Sequence, residues 1–320
     1  MSNRRIPSPL TYLRVSVTKA CNLRCCYCMP YRATRGETAP VLAPSEIASL
    51  VDAFARNGVT KVRLTGGEPL TRADLPVIAR LVARTPGIET FGLTTNGTQF
   101  AELARTLAEA GVQMINISLD SLQPEVSRRI TGTDALERTL QGIEAAVRCG
   151  FRSVKTNTVV MRGINDSEVD TIARFACERG IEPRFIELMP LGRSSDEWRT
   201  LYVPAAEIRR ALGLTKPLPV TNHSSVRRYK RVDGSGTVGI ISPMSESFCG
   251  ECNRIRLTAS GKLKPCLRLP LEEDLRALTH DLDLALRLGE FLRRLGHRKL
   301  AGGEAMSSAI RAQAMSYIGG

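Results

Sequence analysis

The chain has 320 residues and a mass of 35.0 kDa, with 42% hydrophobic and 24% charged residues, a composition that excludes disordered and fibrous classes of protein. A mean hydropathy of -0.11, with no apolar run near the ~18 residues that a membrane span needs, excludes a membrane protein. The formal net charge of +13 favours an anionic partner, although a basic chain can simply be well solvated. Only 5% aromatic residues argue against a platform that stacks nucleic-acid bases, and the absence of a signal-peptide core predicts a cytoplasmic protein.

Helix and strand patterns alternate through the first 190 residues. The predicted strands are Tyr12–Thr18, Lys61–Thr65, Glu89–Thr95, Gln113–Leu119, Ser153–Val160 and Pro183–Met189. The predicted helices are Ser45–Asn57, Asp74–Ala83, Ala101–Ala110, Leu136–Cys149 and Ser167–Arg179. Six such βα units indicate a parallel sheet but fall short of the eight that close a barrel. We therefore predict an α/β fold in which residues 1–190 form a partial, open (βα)6 TIM-type barrel.

The alternation ends after Pro190, and we predict a smaller C-terminal α+β domain, residues 191–320, that closes the side of the barrel. Its predicted elements are a loop over Gly192–Trp198, a helix over Val203–Leu212, a hairpin formed by Val226–Val232 and Thr237–Ile241, and mostly helix over Leu271–Leu295. The dipeptide Asp233-Gly234 between the two hairpin strands is a turn signal.

Several predicted strands carry polar, partly basic side chains on one face and apolar ones on the other. Arg14, Arg63 and Lys155 all stand on such a polar face. An ordinary parallel barrel is apolar on both faces, and dry, unpaired cations inside it would be costly. We therefore expect a polar lumen that holds water and an anionic ligand, the alternative being an internal network of these cations with Asp and Glu.

The first group of the nine cysteines contains Cys-x3-Cys-x2-Cys, formed by Cys21, Cys25 and Cys28 just after the first strand. A disulfide framework does not suit a chain of this length without a secretion signal. Because structural zinc usually takes four protein ligands, three thiolates on one loop favour a 4Fe-4S cluster whose fourth iron can bind a small chelating ligand. Cys26 is predicted to lie outside the cluster, since adjacent cysteines cannot easily both reach it.

A second group consists of Cys249, Cys252 and, after thirteen further residues, Cys266. A zinc ribbon would need another pair of ligands near Cys266, and the sequence has none there. We predict a second three-cysteine cluster with an open iron. Structural zinc with a distant fourth ligand such as His280 is the alternative.

The first cysteine motif, with Tyr27 before its third cysteine, and the segment Thr65-Gly66-Gly67-Glu68-Pro69 together resemble the radical S-adenosylmethionine superfamily. The resemblance implies that the methionine amino and carboxylate groups chelate the open iron, with the glycine-rich segment holding the amino group. One-electron reduction would then yield a 5′-deoxyadenosyl radical. The implied S-adenosylmethionine-binding residues are Tyr27, Gly67, Glu68, Ser118 and Met189.

Within that superfamily, longer stretches resemble the GTP 3′,8-cyclases of molybdenum cofactor biosynthesis. These stretches are Leu13–Thr18, Leu93–Gly97, Asn116–Asp120, Phe185–Pro190, Phe248–Thr258, Gly261–Leu267 and Ile318–Gly320. Cys26 departs from the family pattern, because relatives commonly carry Asp there, and the stretch 281–308 matches only loosely.

This resemblance implies a lyase that forms (8S)-3′,8-cyclo-7,8-dihydroguanosine 5′-triphosphate from GTP, after the radical takes hydrogen from ribose C3′ and the carbon attacks guanine C8. Guanine would reach the second cluster, and the terminal Gly319 and Gly320 would enter the active site as catalytic residues. The implied GTP-binding residues are Arg14, Lys61, Arg63, Thr94, Lys155, Arg184, Arg254, Ile255 and Arg256. Implied partners are a reductant such as flavodoxin or ferredoxin, a downstream pterin synthase and a second copy of the chain, with no membrane or nucleic acid.

Two other classes of protein fit parts of the pattern. A peptide-modifying radical enzyme with an auxiliary cluster would not need so many inward-facing basic residues. A nucleic-acid-binding protein with zinc or a cluster would place its basic residues on an outer face and bind with a steep salt dependence. It would not need Gly66-Gly67-Glu68-Pro69 behind a strand.

Overall fold

The computed structural model describes residues 10–28, 40–191, 195–219, 224–249, 252–267 and 272–304. The strands are β1 Tyr12–Ser16, β2 Lys61–Thr65, β3 Thr90–Thr95, β4 Met114–Ser118, β5 Ser153–Val160, β6 Glu182–Glu187, β7 Arg227–Lys230, β8 Thr237–Ile241, β9 Arg254–Leu257, β10 Lys262–Lys264 and β11 Glu273–Asp274. The helices are α1 Pro44–Arg56, α2 Leu75–Ala83, α3 Phe100–Glu109, α4 Pro124–Thr131, α5 Leu136–Arg148, α6 Val169–Glu178, α7 Ser195–Leu201, α8 Ala205–Ala211 and α9 Leu284–Glu304. None of the helices within these ranges has the length and apolar character to cross a membrane.

The eleven strands of the described ranges form one sheet, in the order β11-β10-β9-β1-β2-β3-β4-β5-β6-β8-β7. Neighbours from β1 to β6 are parallel, and the two ends of the sheet do not pair with each other. The predicted partial, open barrel is therefore confirmed. The strands after residue 190 extend this same sheet, because β9 pairs parallel with β1 and β8 pairs parallel with β6.

The core lies between the sheet and the helices that cover its outer face. On β1, Leu13 and Val15 are fully buried on that face, and on α1 Ile47, Leu50 and Phe54 are buried. Each such side chain contributes about 1.5–3 kcal/mol when it leaves water. One face of the sheet is thus committed to packing, which leaves the opposite, concave face available for a site.

Several elements differ from the sequence-based expectations. The short α4 was not predicted, because only Ser127 and Ile130 are buried on it, too few to give a clear helical period. The predicted loop over 192–198 was wrong from Ser195 onwards, where α7 begins. Leu271–Leu295 was predicted to be mostly helical, but α9 begins only at Leu284, since β10 pairs with β11 in front of it. The predicted hairpin is confirmed as β7 and β8.

Candidate active site

The loop after β1 carries the first cysteine group and borders a cavity of about 1040 Å³ that is partly open to solvent. Cys21, Cys25 and Cys28 all line this cavity, together with Gly66 and Gly67 after β2. The sequence predicted this position, because loops that follow the strands of a βα barrel meet at one end.

Cys26 faces away from the cavity. Its amide nitrogen donates to the carbonyl oxygen of Ile130 over 2.8 Å, and its sulfur lies 4.0 Å from the sulfur of Met161. The neighbouring Arg24 amide similarly donates to the carbonyl of Thr131. The end of α4 therefore holds the loop so that Cys25 and Cys28 point inward and Cys26 packs behind them.

The donor set fits an iron–sulfur cluster. Burial first, and then the negative charge of Asp120 and of the neighbouring thiols, raises the pKa of Cys25 well above its usual range. Thiols crowded in this way become thiolates when a cationic group binds them. No three Cys, His, Asp or Glu side chains in the described ranges approach closely enough to share one metal ion, whereas a 4Fe-4S cluster places its thiolates on separate irons.

Glycine is required at the end of β2 because the backbone that enters the cysteine loop passes directly over it. A Cβ atom on Gly66 would lie 2.7 Å from the carbonyl oxygen of Thr18, and one on Gly67 would lie 2.2 Å from that of Ala20. The Gly67 and Glu68 amides donate to these same carbonyls. The glycine-rich segment thus holds the start of the cysteine loop through its backbone.

Glu68 lines the cavity, but its carboxyl group is already bonded within the protein. It is 1% exposed and accepts hydrogen bonds from the Thr95 hydroxyl at 2.7 Å, the Asn96 amide at 2.6 Å and the Leu70 amide at 3.0 Å. Burial raises its pKa to about 7, against these three hydrogen bonds. Glu68 therefore fixes the loops after β2 and β3, and the sequence did not predict this role.

Tyr27 is tied to the ends of β4 and β5. Its hydroxyl donates to Asp120 over 2.7 Å, and the other oxygen of Asp120 accepts from the Val159 amide over 2.8 Å. Ser118 lines the same cavity, whereas Met189, predicted for the same site, follows β6 and is not part of its lining. Asp120 lies in a stretch quoted for the resemblance, but sequence reasoning gave it no role.

The concave face of the sheet carries a row of basic side chains, as the strand pattern predicted. Arg14 is in register with Arg256 on one side and with Arg63 on the other, so the three share this face. Arg63 is 4% exposed and donates to the Tyr12 hydroxyl at 2.9 Å and to the Leu93 carbonyl at 2.7 Å.

Tyr12 lies among these cations. Lys61 sits 4.7 Å from the centre of its ring, and Arg63 donates to its oxygen. Burial opposes ionisation of the phenol, but the charges of Arg63, Arg14 and Lys61 together lower its pKa to about 7. The sequence marked Tyr12 only as a strand residue.

Further along the sheet, the carboxylate of Glu182 lies close to three basic side chains. Its carboxylate lies 2.7 Å from Arg184, 3.1 Å from Arg228 and 3.6 Å from Lys155. Burial first, and then the charge of Arg184, lowers the pKa of Lys155 to about 8. The alternative prediction, that the inward-facing cations pair with Asp and Glu inside the protein, is therefore correct in part. One carboxylate, however, cannot balance the charge of three cations. Neither Glu182 nor Arg228 was predicted as a site residue.

Polar atoms between the cations and the cysteine loop point to a ligand. In the part of the chain that the structure describes, buried oxygen atoms of Thr94, Asn116 and Asn157 have no hydrogen-bond partner. Thr94 and Asn116 are in register with each other, and Thr94 and Asn157 also line the thiol-bordered cavity. Buried polar groups are normally hydrogen-bonded, so these oxygens fit a polar ligand that spans the lumen.

The second cysteine group lies beside β9 and β10. The Cys252 amide, just before β9, donates to the Cys249 carbonyl, and Cys266 follows β10. Arg256 is 7% exposed, and burial first, then Arg14 and Arg254, lower its pKa well below the usual range, against the charges of Cys266 and Cys252. Arg256 therefore lies between this cysteine group and the cationic lumen.

Arg254 and Ile255 are the two residues predicted beside Arg256. Arg254 stacks its guanidinium 5.0 Å from the centre of the Phe248 ring. Ile255 is fully buried on the opposite, helix-covered face, in register with Leu13, because it alternates with its neighbours along β9. Its side chain therefore does not face the lumen. The predicted catalytic Gly319 and Gly320 lie outside the described residues.

The buried carboxylate of Glu187, which the sequence did not single out, connects β6 to the segment before the second cysteine group. Glu187, at the end of β6, is 1% exposed and accepts from the Ala205 amide at 2.7 Å and the Met244 amide at 2.8 Å. It also accepts from the Tyr202 hydroxyl and from the amide and hydroxyl of Ser245. Glu187 thereby joins the end of β6 to the segment that leads to Cys249.

Two family models match the chain and together span most of it. The model of the Radical SAM superfamily matches residues 15–176, and the model described as Molybdenum Cofactor Synthesis C matches residues 181–303. The first covers the cysteine loop and the barrel strands up to β5, and the second covers β6 and the strands that flank the barrel.

Curated proteins named GTP 3′,8-cyclase are similar over most of this chain. The protein from Pelotomaculum thermopropionicum is 44% identical over 274 residues, covering 84% of each chain. The protein from Moorella thermoacetica is 42% identical and covers 86% of this chain and 88% of its own. The protein from Alkaliphilus metalliredigens is 38% identical over 316 residues, 97% of this chain and 98% of its own.

Among solved structures, Streptococcus suis SuiB bound to S-adenosylmethionine is similar with a TM-score of 0.64, covering 97% of this chain and 72% of its own. Its sequence is 15% identical, so the likeness is one of fold. The likeness supports the partial-barrel fold.

Proposed function

The chain belongs to the radical S-adenosylmethionine superfamily and, within it, to the family of the GTP 3′,8-cyclases, and we propose that it cyclises GTP at an early step of molybdenum cofactor biosynthesis. The observation that supports this most is the juxtaposition of a thiol-lined cavity with a cationic lumen, bridged by buried polar atoms that lack partners among the described residues. A peptide substrate or an outer nucleic-acid surface would not require that lumen.

GTP lies in the lumen with its triphosphate on the basic side chains, in charge-assisted hydrogen bonds of the strong kind. The proposed contacts are Arg14, Lys61, Arg63, Thr94, Lys155 and Arg184, with Arg254, Arg256 and the backbone of Ile255 near the guanine. Because the basic side chains lie toward the N-terminal ends of their strands and the cavity lies at the C-terminal ends, the ribose faces the cavity.

S-adenosylmethionine lies in the cavity, beside Tyr27, Gly67, Glu68 and Ser118. Met189, which follows β6 outside the cavity lining, is proposed to contact it as well. When bound, the cluster on Cys21, Cys25 and Cys28 supplies the electron that cleaves S-adenosylmethionine and starts radical chemistry at the ribose. The chain's own contribution is to place the two ligands end to end and to exclude water. Tyr27 with Asp120, and the glycine-rich segment with the loop, hold that arrangement.

Cys249, Cys252 and Cys266 would hold a second 4Fe-4S cluster, whose open iron would supply a binding site for guanine. Gly319 and Gly320 are proposed to act in catalysis. Residues 1–190 form the radical-generating unit and 191–320 the unit that carries the second cluster. A flavodoxin- or ferredoxin-type reductant, a downstream pterin synthase, a homodimer and a cytoplasmic location remain proposals.

Replacing Arg14 with Ala tests the placement of GTP. We expect GTP binding to weaken about tenfold to a hundredfold, the scale of a hydrogen bond to a charged group, with S-adenosylmethionine binding little changed. Calorimetric titration of each ligand into anaerobic protein is the measurement. Arg56→Ala, which removes an exposed arginine paired with Asp52, is the control. Equal loss of both ligands would instead indicate a folding defect and would remove this support.

The affinity for GTP should also fall as pH rises through about 8. Lys155 attracts phosphate only while it is protonated, and its pKa lies near 8. Ionisation of Tyr12, whose pKa is about 7, adds a negative charge and acts in the same direction. Dissociation constants for GTP measured at pH 6.5 to 9.5 check this. Lys155→Arg should retain more affinity above pH 8, and an identical profile for that variant contradicts the assignment to Lys155.

A further inference from the structure

Arg228, on β7, lies on the same face of the sheet as the proposed phosphate-binding residues. It is in register with Gly239 of β8, which in turn is in register with Arg184 of β6. A Cβ atom on Gly239 would lie 3.1 Å from Cγ of Arg184, so the glycine leaves room for the side chain beside it. Arg228 and Arg184 can therefore approach one another across the missing side chain.

The two arginines converge on one carboxylate. Nε of Arg184 lies 2.7 Å from one oxygen of Glu182, and Nε of Arg228 lies 3.1 Å from the other. Lys155 approaches the same carboxylate at 3.6 Å. The charge of Arg228 also contributes to lowering the pKa values of Lys61, Lys155 and Arg184, after burial. Arg228 thus belongs to the same electrostatic cluster as three residues proposed to bind GTP.

The carboxylate of Glu182 cannot accept hydrogen bonds from all the N–H groups of Arg184, Arg228 and Lys155. One carboxylate can accept from several donors, but each guanidinium carries five N–H groups in a fixed fork. Arg228 is 39% exposed along its side chain, against 14% for Arg184, so more of Arg228 is accessible to a ligand. The contact of Arg228 with Glu182 is through Nε, so an additional anion can bind its other N–H groups without breaking this pair.

We propose that Arg228 is a further triphosphate-binding residue, contributed by the β7–β8 hairpin and directed at the terminal phosphate. This rests on the proposed function. The ribose must face the cavity at the C-terminal ends of the strands, so the phosphates extend toward the N-terminal ends. Glu182 is the first residue of β6, and its partner Arg228 meets the phosphate that is farthest from the ribose.

The test uses a matched pair of arginines on adjacent positions of β7. Arg227 points to the other face of the strand and pairs with Glu246 at 3.7 Å. We expect Arg228→Gln to weaken GTP binding about tenfold, to weaken GMP binding less than about threefold, and to leave S-adenosylmethionine binding unchanged. Arg227→Gln should leave all three unchanged, and Arg228→Lys should recover part of the GTP affinity. Titrations of GTP, GDP and GMP into the full, cluster-loaded chain give these values.

Three results would overturn the inference: equal losses for GTP and GMP, equal effects of the two glutamine variants, or no effect of Arg228→Gln on GTP. If Arg228→Gln has lost its clusters or its fold, the same comparison is made with Arg228→Lys, which keeps the charge but not the fork. Arg184→Gln separates this inference from the proposed function. If that variant also binds GTP normally, the lumen is not the nucleotide site and the proposed function fails; if it binds weakly while Arg228→Gln does not, only the role of Arg228 fails.

Discussion

Cys25→Ser is expected to abolish reductive cleavage of S-adenosylmethionine, whereas Cys26→Ser is expected to leave it intact. The two cysteines are adjacent in the chain, but Cys25 lines the cavity and Cys26 packs toward Met161 and Ile130 behind the loop. A serine oxygen is a poor ligand for iron in place of a thiolate, so only the inward position should matter. The measurement is 5′-deoxyadenosine formed from S-adenosylmethionine with dithionite, under anaerobic conditions.

The iron content of the Cys25→Ser and Cys26→Ser variants provides an independent test of the two assignments. The unmodified chain should hold about eight irons, Cys25→Ser about four, and Cys26→Ser about eight. Full cleavage activity in Cys25→Ser would reject the ligand assignment. Loss of iron from Cys26→Ser, with its fold retained, would show that Cys26 belongs to the cluster after all.

The repeating part of the fold could be predicted because its pattern is local. Alternation along β1, β2 and β5 places Arg14, Arg63 and Lys155 opposite apolar residues, and this period of two is visible without knowing which strands pair. The cysteine loop could likewise be placed, since it follows a strand directly. In both cases the chemistry follows from residues that are neighbours in the chain.

The edges of the sheet could not be predicted in this way. That β9 pairs with β1, and β8 with β6, depends on contacts between segments far apart in the chain, for which neither strand carries a local signal. The position of Arg228 beside Glu182 depends on that second pairing. Glu187 was missed for the same reason, since its partners Ala205 and Met244 come from distant segments.

Cys266→Ser is expected to stop formation of the cyclised nucleotide while S-adenosylmethionine is still cleaved. Cys266 follows β10, which runs antiparallel to β9 and β1, so it lies at the opposite end of the strands from the cavity-lining cysteines that follow β1, and its loss should leave the first cluster in place. Cys149, which is exposed and outside both cysteine groups, provides the matched control Cys149→Ser. Cyclised product and 5′-deoxyadenosine are measured in the same anaerobic reaction with GTP.

The physical reason lies in the surroundings of Arg256. This buried guanidinium has Arg14 and Arg254 as like-charged neighbours, and Cys252 and Cys266 on its other side. Thiolates of a bound cluster would balance the positive charge, and without them the proposed guanine site would lose both its iron and the alignment of Arg256. Misplacement of reacting groups by about 1 Å can cost about a hundredfold in rate. Cyclised product at the unmodified level from Cys266→Ser would therefore show that the second cysteine group serves the fold alone, and equal loss of both products would show that the two cysteine groups are not independent.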